Sequence, residues 1–142
     1  MSSHRNSKVS DRLFWAKGDK KLYDELEEQE KFFKNKGRKE QFMFALAVGF
    51  HNGNRQPLNT YDGMFNSRDL TPMDISIIES IAVQTEGNVS VIEDEAKIYR
   101  VAEEYAHGGI KILNKEVKNV QFGSYPKKLE ISLTELISQK ME

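Results

Sequence analysis

Apolar positions recur along this chain with a helical period over its first three quarters and with a period of two near its end. From about Asp19 to Asn35, Leu22, Leu26 and Phe33 return at multiples of three to four, and Glu27, Glu28, Glu30 and Lys31 fill the wet side. This predicts an amphipathic helix capped by Asp19 and stopped by Gly37. A second helix, Arg38 to His51, carries Phe42, Ala45, Leu46, Gly49 and Phe50 on one face, with Met43, Phe44, Ala47 and Val48 around most of the rest. A helix apolar nearly all round belongs in the middle of a bundle or at an oligomer interface, so a homo-oligomer is one destination for that surface.

Residues 52–70 lack periodicity and hold Asn52-Gly53-Asn54, Pro57 and Asp62-Gly63, so they form either a functional loop or a segment hiding a short strand. Thr71-Pro72-Met73-Asp74 opens a third helix with a cap, a first-position proline and a first-turn carboxylate, and Gly87 closes it. Its faces carry Ile75, Ile77, Ile78, Ile81 and Ala82. A fourth helix starts near Asp94, buries Ile98, Val101, Ala102 and Tyr105, and reaches His107; Gly108-Gly109 then ends or kinks it. Beyond Lys118, Val120, Phe122, Leu129, Ile131 and Leu133 alternate as strands do, while Ser132 and Glu135 fit a capping box for a short helix. The expected fold is mainly α: a compact bundle of about four helices closed by a small C-terminal β-hairpin or short helix. Residues 1–18 read as a mobile tail whose Leu13-Phe14-Trp15 island docks on the domain or on a partner, with one globular domain over 19–142.

The length of 142 residues fits that single domain, and the absence of cysteine excludes disulfides, thiolate metal sites and a cysteine nucleophile. No apolar run is long enough to span a bilayer, and Met1 to Ser10 has no apolar signal core. A cytoplasmic protein with no membrane partner is therefore expected. The formal net charge of −1 hides an acidic stretch over 62–104 and a basic cluster of Lys31, Lys34, Lys36, Arg38 and Lys39. Such a cluster either sits on phosphates or completes a solvated helix end.

The chain has no phosphate-cradling glycine loop, no His-Glu-x-x-His and no nucleophile elbow. His51 and His107 each end a predicted helix, where an imidazole suits orphan carbonyls; a two-histidine metal site completed by Glu103, Glu104 or Asp62 is the sharper alternative. Glu103-Glu104 reads as a wet helix face. No catalytic residue, metal or cofactor is assigned. The segment that stands out is His51-Asn52-Gly53-Asn54-Arg55, a turn delivered by a buried helix and followed by one arginine. Arg55 suits phosphate or carboxylate, whether from a ligand or from a nearby acid of the chain itself.

The run Phe42 to Leu58, read as Phe-x-Phe-Ala-Leu-Ala-x-Gly-Phe-x-x-Gly-x-Arg-x-Pro-Leu, resembles a family of small accessory proteins of DNA phosphorothioation (dnd) gene clusters, the fourth dnd-system-associated protein. Glu103-Glu104-Tyr105-Ala106-His107-Gly108-Gly109-Ile110 is similar to that family's second segment, and the likeness covers about residues 20–114. The resemblance implies a protein of a prokaryotic DNA-modification or antiphage defence system, and it carries over no catalytic mechanism. The leading expectation is a non-enzymatic accessory or adaptor acting through protein partners of that system. The alternative is a DNA-binding regulator or sensing subunit that meets phosphates with Lys31 to Lys39 and Arg55, and bases with Asn52 or Asn54. A third is a metal-dependent hydrolase or nuclease built on His51, His107 and a carboxylate.

Overall fold

A computed structural model describes residues 11–118. The elements run β1 (Arg12–Trp15), α1 (Asp19–Gln29), α2 (Lys31–Lys34), α3 (Arg38–His51), β2 (Asp62–Asn66), α4 (Pro72–Glu86) and α5 (Glu95–Val117), with short 3₁₀ turns at Ser67–Asp69 and Val89–Glu93. Among the described residues the fold is mainly helical with one two-stranded antiparallel sheet, β1 against β2. The C-terminal hairpin or helix expected beyond Lys118 lies outside the described residues.

Helix α3 is the centre. Every residue from Gln41 to Gly49 is buried, so its apolar circumference is consumed inside the fold and no longer argues for an oligomer. Its main neighbour is α5. The two backbones approach closely because a methyl on Gly49 would overlap the Tyr105 carbonyl, and one on Gly109 would overlap the Ala45 carbonyl. That contact explains the Gly108-Gly109 pair: α5 runs unbroken through both, and the glycines serve packing rather than termination.

The expected first helix is two. Glu30 adopts an extended conformation, ends α1, and its carboxylate accepts the Phe32 N–H at 3.4 Å to start α2. The break turns Phe33 fully into the core, edge-on to Phe32 and Phe44. Asp19 is the first helical residue of α1 rather than its cap. At α4 the expected start is complete: the Thr71 hydroxyl accepts the Asp74 N–H at 3.1 Å, and the Asp74 carboxylate accepts the Thr71 N–H at 2.9 Å. Gly87 closes α4 in the left-handed conformation at φ 71°.

Residues 12–15, read from the sequence as tail, are a strand. Leu13 and Trp15 are buried, Leu13 lies opposite Phe65, and Trp15 lies opposite Asp62. A register shift after Leu13 leaves Met64 as the extra residue of a bulge. The long loop before α4 therefore does hide a strand, whose partner sits some fifty positions earlier.

Candidate functional site

The loop after α3 is built from its own backbone outward. Gly53 takes φ 64°, and the Gly53 and Asn54 N–H groups donate to the Phe50 and Gly49 carbonyls, which is the Schellman way to close a helix. Asn52 Nδ2 donates to the Val48 carbonyl at 2.7 Å. The chain then lies along α5: Asn54 Nδ2 donates to the Gly108 carbonyl at 3.1 Å, and the Gln56 N–H donates to the Glu104 carbonyl at 3.1 Å. A methyl on Gly108 would strike the Asn54 backbone, so this glycine makes room for the loop. Asn52 and Asn54 thus spend their amides on backbone carbonyls. Arg55 Nε donates to Glu104 Oε1 at 2.6 Å, and its Nη1 lies 3.7 Å from Glu86, which Lys97 also holds at 3.0 Å. In the structure Arg55 pairs with acids of the chain itself. His51 stands exposed at the end of α3.

The basic cluster does not form one patch. Arg38 reaches Asp24 at 2.6 Å and Glu27 at 3.2 Å, donates to Gln41 Oε1 at 2.9 Å, and lies over the Trp15 ring. Lys39 pairs with Asp74 at 2.8 Å; burial pulls its ammonium down, but the Asp74 and Glu40 carboxylates outweigh this and hold it above its ordinary range. Lys36 sits over the Phe32 ring. Lys31 and Lys34 are exposed on α2, beside a surface hollow of about 900 Å³ that Asp24, Glu27, Glu28 and Glu30 also line. Carboxylates around that hollow oppose an anion there.

His107 and His51 do not converge. His107 Nδ1 lies 2.7 Å from Asp19 Oδ2, both largely buried, and tethers the start of α1 to α5. Among the described residues no group of three or more His, Cys, Asp or Glu could hold a metal ion.

Three polar residues matter more than their sequence pattern suggested. Glu103, read as part of a wet face, is only 1% exposed, and its Oε2 accepts the Phe14 N–H at 2.9 Å. Asn114 Nδ2 donates to the Leu22 carbonyl at 2.9 Å. With His107 they make a buried polar stripe on α5 that holds β1 and α1. The spacing of 103, 107 and 114 on one helix side was the available signal. Gln41, fully buried, donates through Nε2 to Glu27 and to the Phe33 and Lys36 carbonyls, closing the α2–α3 turn.

These features define a small helical domain whose described ionisable clusters chiefly hold its own elements together, around a central helix and a two-stranded sheet. The chain belongs to the family described as DNA sulphur modification system-associated protein 4, whose model matches residues 12–141. The match takes in the strand β1 and the C-terminal stretch, which the likeness seen in the sequence left out. No curated protein and no solved structure matches. Association with a DNA sulphur-modification system follows from the family. Among the described residues no helix is long and apolar enough to cross a membrane.

Proposed function

We propose that the protein is an accessory of a DNA sulphur-modification system that acts by binding protein components of that system rather than by a reaction of its own. The observation that carries this reading is where apolar surface is left uncovered. The large hydrophobic residues found exposed among those described all fall within 73–92: Met73 at 52%, Ile75 at 38%, Val89 at 67% and Ile92 at 38%. Val89 and Ile92 are three apart in a 3₁₀ turn, which stacks them on one side while Val91 turns into the core. Met73 and Ile75 stand at the opposite end of α4, about 20 Å away at about 1.5 Å of rise per residue, so the Val89–Ile92 pair is the surface that a protein partner would cover. The Leu13-Phe14-Trp15 island no longer supports the reading, because Leu13 and Trp15 are core residues.

Co-expression with the proteins of the modification system tests it. The tagged wild-type chain should retain at least one of them through purification, and the double variant Val89→Glu/Ile92→Glu should lose it while keeping its helical circular dichroism. Retention of all partners by the variant would remove the α4–turn surface from the proposal. Turnover of a DNA substrate by the isolated chain would overturn the non-catalytic reading.

A further inference from the structure

Helix α5 turns one side outward toward each of its ends, on either side of the loop that covers its middle at Glu104 and Gly108, and that side is cationic. At about 100° per residue, Lys97, Arg100, Lys111, Lys115 and Lys118 fall within an arc of about 60°, with Glu104 inside it and Gly108 at its edge. Arg100, Lys111, Lys115 and Lys118 are exposed. The loop that crosses the helix at Gly108 brings Arg55 to the midpoint, where it covers Glu104. Six cations therefore stand in a line about 31 Å long, at about 1.5 Å of rise per residue. Among the ion pairs of the described residues, Glu86 meets Lys97 and also faces Arg55 and Arg100, Glu104 meets Arg55, and Glu25 meets Lys118, which sets three carboxylates against six cations.

Local helix chemistry accounts for only part of this line. Lys115 and Lys118 suit the negative end of the α5 dipole, but Lys97 and Arg100 sit in its first two turns, where a cation is disfavoured. The stripe also carries no apolar side chain, and lysine is depleted from the cores of protein–protein contacts. Elongated and free of apolar anchors, with a cation pair at one end and a cation triplet at the other, it matches a polyphosphate better than an acidic protein. We infer that the outward face of α5, with Arg55, contacts the phosphate backbone of a nucleic-acid duplex without reading its sequence.

This surface is distinct from the Val89–Ile92 turn, so the inference stands or falls independently of the protein-partner reading. It also replaces the Lys31–Lys39 cluster as the phosphate-facing surface. The test is fluorescence anisotropy of a labelled duplex of about 20 base pairs with the full chain, over a salt series. Neutralising about three phosphates predicts a log–log salt slope near −3. Lys111→Glu/Lys115→Glu should weaken binding at least about tenfold and flatten the slope, whereas Lys31→Glu/Lys34→Glu should stay within about twofold of wild type. Two unrelated duplex sequences should bind equally. Circular dichroism of each variant shows that the fold is kept, and since all four lysines are exposed the effect is read on folded protein. Absence of binding at low salt, equal loss in the two variants, or binding of polyglutamate in place of the duplex would each overturn the assignment.

Discussion

A methyl group on Gly109 would occupy the space of the Ala45 carbonyl, and no side chain can move aside to make room. Gly109→Ala should therefore force α3 and α5 apart and cost at least about 2 kcal/mol in urea unfolding. Gly53 poses the opposite case, with open space around it but φ 64°. Gly53→Ala should cost about 1–2 kcal/mol through backbone strain alone. Asp19→Ala would strand the largely buried His107 imidazole and should lower stability by about 2–4 kcal/mol. The pH dependence has a defined sign at Asp24, whose carboxyl is held below its ordinary range chiefly by hydrogen bonds from Arg38 and Lys20. A depressed acid contributes its stability above the unfolded value and loses it as pH falls through the folded one. The urea midpoint should thus drop between neutral pH and about pH 3, and Asp24→Asn should show a shallower decline. Because Asp24 is substantially exposed, the difference is small.

At the scale of elements, strand β1 is the part the sequence hid. Four residues without clear alternation carry little local signal, and the partner strand lies beyond three helices. A chain starting at Asp19, where the pattern places the domain's beginning, would lose Leu13 and Trp15 from the core and the Phe14 N–H from Glu103. It should unfold well below the full chain's melting temperature, since burying two such side chains is worth several kcal/mol, about 2–5 for a residue like Leu13. Where local and global demands agree, the pattern was legible: Thr71, Pro72, Asp74 and Gly87 delimit α4 just as their chemistry requires. Where packing overrides propensity it was not. Glu30 is a good helix former forced extended so that Phe33 can enter the core, and Gly108-Gly109 continue a helix that their composition would stop. The candidate site follows the same rule. The loop's turn residues and the local Asn52–Val48 contact were readable, but that Arg55 and Asn54 answer to partners on α5 depends on α3 and α5 being side by side.

For the whole molecule, the formal charge of −1 misleads because it averages unlike surfaces. Of the acids between 62 and 104, Glu103 is buried, Asp74 answers Lys39, and Glu86 and Glu104 answer Lys97 and Arg55. Among the surfaces left outside are an apolar turn at Val89–Ile92 beside Glu93, Asp94 and Glu95, and a cationic line along α5. Together the two proposed surfaces would let one domain join a protein to a duplex. Hydrogen exchange on the full chain, alone and with the purified proteins of the DNA sulphur-modification system, tests partner binding most directly. Amides of α4 and the Val89–Glu93 turn should gain protection with at least one of those proteins, while those of α2 should not change. Unchanged exchange across 73–93 with every component, or protection confined to α2, would contradict it.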